Sequence, residues 1–82
     1  MELWIRSQDK NILTRVDDLY IVHDDNNFCD YIGNNMVGHL AKYTKQGRAL
    51  EVLNRIQEVV EYRYSNSIIG KDNFMILEMP EE

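Results

Sequence analysis

The sequence predicts an α+β fold: an antiparallel sheet of about five or six strands with one long amphipathic helix packed on one face. Two observations carry this. Ala49, Val52, Leu53, Ile56 and Val60 recur at i, i+3, i+4, i+7 and i+11, so one stripe of a helix from Arg48 to about Arg63 is apolar and needs cover. The other apolar segments are short, β-rich and separated by Asp, Asn and Gly, which is the pattern of an antiparallel meander.

Taken in order, Leu3 to Ser7 reads as a first strand. Gln8, Asp9, Lys10 and Asn11 supply a polar hairpin connection into a second strand, Ile12 to Val16. Asp17 and Asp18 interrupt the run before Leu19 to His23, whose β-branched and aromatic residues favour a third strand. Asp24, Asp25, Asn26 and Asn27 form the clearest turn, because short carbonyl side chains bond their own backbone and tolerate left-handed conformations. Phe28 to Ile32 then forms a fourth strand, Gly33, Asn34 and Asn35 a second turn, and Met36 to Lys42 a fifth strand. Thr44 is the expected helix N-cap, but Gly47 stands where a capping box needs Glu or Gln, so the first turn should be loose. Beyond the helix, Gly70, Asp72 and Asn73 mark a break, Ile68 and Ile69 are expected to pack down, and Phe74 to Leu77 reads as a last strand that rejoins a sheet edge or pairs with a second copy. Met79 to Glu82 is expected to fray.

The 82 residues fit one domain, 1–82, whose small size buries little surface and favours a partner chain. A net charge of −5 argues against a nucleic-acid duplex as partner, since phosphate binding needs a basic face. Cys29 is the only cysteine, so no internal disulfide can form and a reducing cytosol is expected. The apolar run at Leu3, Trp4 and Ile5 is too short for a leader or a membrane span.

Catalytic ingredients are scattered. His23 and His39 are the only histidines, and Cys29 inside a strand reads as a buried sulfur rather than a nucleophile. His23, Asp24 and Asp25 lack the spacing of a metal site, so neither metal, cofactor nor enzymatic activity is expected. Two clusters stand out. Lys42, Tyr43, Lys45 and Arg48 surround a helix start, where free N–H groups and the macrodipole favour an anion and Gly47 permits close approach. Trp4 and Arg6 share one face of the first strand, where indole and guanidinium can stack as in a binding hot spot. Each has a plainer explanation, solvated lysines for the first and cover for a small core for the second. Glu51, Arg55 and Glu58 form a self-paired outer helix face, and the acidic turns Asp17, Asp18, Asp24 and Asp25 read first as soluble surface.

The opening Met1-Glu2-Leu3-Trp4-Ile5-Arg6-Ser7-Gln8-Asp9-Lys10, the central Arg48-Ala49-Leu50-Glu51-Val52-Leu53 with Ile56-Gln57, and the closing Met79-Pro80-Glu81-Glu82 resemble a group of small phage and prophage proteins of Gram-positive bacteria. In that group a tyrosine, a threonine and acidic residues usually precede the helix, whereas this chain has Tyr43, Thr44, Lys45, Gln46 and Gly47. The resemblance implies a phage origin and, by context, an anti-defence role in the host cell cytoplasm. Combined with the cationic cluster, it leads to the expectation of a homo-oligomer that sequesters a small phosphorylated cyclic nucleotide without catalysis. Lys42, Lys45 and Arg48 would neutralise phosphate, Tyr20 or Tyr43 would stack on a base, and Arg6 would reach in from a neighbouring strand or subunit. The alternative is a protein-binding inhibitor of a host defence complex, anti-CRISPR-like, acting through Trp4 and Arg6 or the acidic turns. A third is a phage structural or regulatory accessory protein.

Overall fold

The computed structural model describes residues 2–66 and 74–82. The expected break at Gly70, Asp72 and Asn73 and the packing of Ile68 and Ile69 fall outside those residues. Six strands and one helix follow in the order β1 (Glu2–Arg6), β2 (Leu13–Val16), β3 (Tyr20–Asp24), β4 (Cys29–Asn34), β5 (Gly38–Tyr43), α1 (Arg48–Asn66) and β6 (Phe74–Glu78). The class is α+β, as the sequence predicts.

The expected single sheet is instead two sheets of three strands, ordered β2-β1-β6 and β3-β4-β5. The split falls at Asp17 and Asp18. There the chain leaves the first sheet, and the Asp18 carboxylate turns to the second, accepting from the Asn35 backbone N–H at 3.3 Å. The last strand rejoins a sheet edge: β6 takes the free edge of β1 and runs parallel to it, with Leu3 beside Met75 and Ile5 beside Leu77. A parallel neighbour requires a long crossover, and the whole second sheet and the helix lie between these two strands in sequence.

Turn chemistry fixes each hairpin. Ser7 is buried and its hydroxyl donates to Asp9 Oδ1 at 2.6 Å while accepting from the Ile12 N–H at 3.0 Å. In the β3–β4 turn the Asp24 carboxylate accepts from the Asn26 and Asn27 backbone and from Asn27 Nδ2 at 2.9 Å. Those bonds, the Asn27 side chain first, hold its carboxyl below the ordinary aspartate range. Between β4 and β5 the ladder bulges at Ile32/Gly33. A Cβ at Gly33 would lie 2.6 Å from the Gly38 carbonyl oxygen, so the bulge admits glycine alone there.

The helix buries Ala49, Val52 and Ile56 with Leu53 and Val60 half-buried, the stripe read from the periodicity. It packs on β4 and β5, where Ile32, Leu40, Ala41 and Tyr43 meet it, and Ile5, Val16 and Met79 complete the core. Its N-cap is Gly47 rather than Thr44. The Gly47 carbonyl accepts the first helical bond, from the Glu51 N–H at 3.1 Å, and φ of +80° at Gly47 suits only a residue without a side chain. No described helix is long and apolar enough to cross a membrane.

The two sheets meet at Gln8. Its N–H donates to the Leu40 carbonyl at 2.9 Å, its Oε1 accepts from the Lys42 N–H at 3.0 Å, and its Nε2 donates to the Pro80 carbonyl at 3.3 Å. Residues 79–82 are therefore held rather than frayed. Met79 is buried, its N–H continues the parallel ladder onto the Arg6 carbonyl at 2.9 Å, and the Tyr43 hydroxyl donates to Pro80 at 2.6 Å.

Candidate functional site

The cationic helix start and the outer face of the β2-β1-β6 sheet are separate places with opposite properties. Just before the helix, the backbone donors of Thr44 and Lys45 already have an acceptor. The Thr44 N–H and hydroxyl and the Lys45 N–H all donate to the Glu82 carboxylate, the hydroxyl at 2.9 Å and Lys45 at 3.3 Å. These bonds, the Thr44 amide first, hold the Glu82 carboxyl below its ordinary value, with Arg48 adding a smaller pull. Arg48 is half-buried, its Nη2 3.5 Å from the Glu81 carbonyl and its Nη1 3.8 Å from Glu51. The chain's own tail thus occupies the Thr44 and Lys45 donors.

The remaining residues of that expected site do not converge. Tyr43 has no exposed surface, so it cannot stack on a base; burial pushes its hydroxyl up to about 12. Tyr20 lies beside the Gly33 end of β4 while Tyr43 pairs with Asp30 on the other side of β4, about 10 Å away along the strand direction and two strands across. Its hydroxyl donates to the Asn34 carbonyl at 3.2 Å. Arg6 belongs to the other sheet. Lys42 and Lys45 are exposed, and Lys42 lies near enough to Asp24 to lower its carboxyl slightly. Lys45 borders a cavity of about 640 Å³, but Asp24, Asp25 and Asp30 line it as well, a poor surround for phosphate. His23 Nδ1 sits 2.8 Å from Asp30 Oδ1, and Cys29 is buried as expected of a strand thiol. Among the described residues no group of acids, histidines and cysteine is disposed to hold a metal ion.

The outer face of β2-β1-β6 is built by strand alternation. Trp4 lies between Arg15 on β2 and Ile76 on β6; one row along, Arg6 lies between Leu13 and Glu78, and at the other end Glu2 stands beside Phe74. The opposite face turns Leu3, Ile5, Val16, Met75 and Leu77 inward. Trp4 and Arg6 thus share a face, but Arg6 does not stack on the indole; its Nε donates to the Lys10 carbonyl at 3.1 Å. Leu13, Phe74 and Ile76 are about half exposed, at 46, 55 and 50%. Charges on this face pair with each other, Arg15 with Glu2 at 3.0 Å and Lys10 with Glu78 at 2.5 Å. What is left open, Arg6 aside, is hydrophobic.

No family model, curated protein or solved structure matches the chain. Sequence reasoning found Trp4 and Arg6 but not Leu13, Phe74 and Ile76, which reach the same face from β2 and from β6. A signal was present: Phe74 to Leu77 is apolar at every position, whereas a strand with one solvated face alternates.

Proposed function

We propose that this chain is a non-enzymatic binding protein that engages a protein partner through the outer face of β2-β1-β6. The observation that carries this reading is the gathering of exposed Leu13, Phe74 and Ile76 around half-buried Trp4 on one face, where Arg15 is paired with Glu2 and Lys10 with Glu78. Contiguous exposed apolar surface on a soluble domain marks an interaction site, and a tryptophan near arginines at its centre is the usual composition of a hot spot. The phage resemblance, carried by residues that include Trp4 and Arg6, makes a host defence protein the proposed partner. Sequestration of a cyclic nucleotide has less support, because the amide donors at Thr44 and Lys45 hold Glu82 and the expected stacking ring of Tyr43 is internal.

Site-specific photo-crosslinking in cells distinguishes the two. A crosslinker at position 13 is expected to capture one protein other than the chain itself, with capture falling at least about tenfold on Trp4→Ala, while a crosslinker at position 45 captures nothing specific. Heat of binding with cyclic ADP-ribose isomers or cyclic oligonucleotides, lost on joint Lys45→Ala and Arg48→Ala substitution, would overturn the proposal in favour of the nucleotide.

A further inference from the structure

We infer that two copies of this chain join edge to edge through β6, antiparallel about a two-fold axis at Ile76, to give one continuous sheet ordered β2-β1-β6-β6-β1-β2. The inference does not depend on the identity of any other partner. It starts from the backbone. β6 pairs with β1 on one side only, and no described group bonds its other edge. The Met79 N–H points at β1, onto the Arg6 carbonyl. Because backbone groups alternate sides along a strand, Met75 and Leu77 also point at β1, while Phe74, Ile76 and Glu78 present their N–H and C=O outward.

An antiparallel ladder needs those outward residues directly opposite one another, each opposed pair exchanging two bonds. Centring the axis on Ile76 satisfies that for the whole strand: Ile76 faces Ile76 of the second copy, and Phe74 faces Glu78. An axis on Glu78 would oppose two carboxylates and set Ile76 against Pro80, which has no N–H. The same register keeps the faces matched. On the outside Ile76 meets its copy with a Trp4 beyond each, and on the inside Met75 meets Leu77, apolar against apolar.

Charge favours this edge too. Two chains of net charge −5 repel, yet the only charge in the strand, Glu78, is paired with Lys10 and would face a phenyl ring. The other edges are guarded. β5 carries Gln8 against its backbone, β2 has four residues with Arg15 among them, and β3 has His23 and Asp24. β6 has neither proline nor bulge, and its one charge is terminal.

Light scattering and amide exchange on the full chain test the inference. The expected mass is twice the 9.7 kDa of one chain at high micromolar concentration. The Ile76 amide, bonded only in the pair, should gain about tenfold or more in protection as concentration rises, while the Leu77 amide is protected throughout. Ile76→Lys, at a half-exposed position that leaves the β1 ladder intact, should halve the mass with an unchanged circular dichroism spectrum. Trp4→Ala should leave the mass doubled. A wild-type monomer at the highest concentration, or a dimer kept by Ile76→Lys and lost in Trp4→Ala, would overturn the edge pairing.

Discussion

The cationic helix start and the outer face of β2-β1-β6 both look like binding surfaces in sequence, but only the second remains open once the chain is folded. Cations and free amides near Thr44 and Lys45 attract an anion, and Glu82, 38 residues from Thr44, supplies one internally. Leu13, Phe74 and Ile76 attract apolar cover that no described part of the chain supplies, and Trp4 beside them is only half-buried. Electrostatic demand is met by one flexible carboxylate, whereas covering an apolar sheet face takes a whole packed layer. Among the described residues there is one helix for that purpose, and it packs on the other sheet.

The largest effect that tests this contrast lies at Tyr43, which should behave as core although it adjoins the cationic cluster. Tyr43→Ala is expected to cost about 3–5 kcal/mol in urea unfolding, and Tyr43→Phe about 1 kcal/mol, because Pro80 keeps the Gln8 donor. A cost near that of a surface tyrosine would put the ring back in play as a ligand contact. The same burial has an alkaline signature. The hydroxyl titrates near 10 when unfolded and near 12 when folded, so its contribution to stability is whole below pH 10 and is lost as pH rises from about 10 to 12.

Gln8→Ala should follow at about 1–3 kcal/mol, since it leaves the Lys42 N–H without its acceptor and removes one of the two donors to Pro80. The substitution leaves the outer face of β2-β1-β6 untouched and reaches the cationic cluster only through the Lys42 backbone. Unchanged thermal stability would mean that the sheets are not joined there.

The smallest effect, and the sharpest on the helix start, concerns Glu82. Its folded value is depressed, so the stabilisation is present above the ordinary glutamate value of 4.5 and disappears as pH falls through the lower folded value. The Thr44 and Lys45 amide resonances should follow that titration with a midpoint below 4.5. In Glu82→Ala the same two amides should shift on adding inorganic phosphate, and in the unmodified protein they should not. Equal phosphate shifts in both would show that the tail does not occupy the anion position.

Much of the fold was legible because it is local. Periodicity located the helix face at Ala49, Val52 and Ile56, and Asx chemistry located the turns at Asp24 and Asn34. What escaped the sequence is non-local. Nothing in Phe74 to Glu78 names Glu2 to Arg6 as its parallel partner, and without that pairing the outer face loses two of its four apolar residues, Phe74 and Ile76. The same holds at the other surface. Lys42, Lys45 and Arg48 are adjacent and therefore conspicuous, whereas Glu82 completes their surroundings from the far end of the sequence.

The parallel pairing of β1 with β6 also sets a timetable. During synthesis Glu2 to Arg6 emerges first, yet one side of that strand stays unsatisfied until Phe74 to Glu78 has left the ribosome, by which time β3, β4, β5 and the helix can assemble on their own short-range contacts. The β1–β2 hairpin thus waits, with one edge of β1 open, until Phe74 to Glu78 is made.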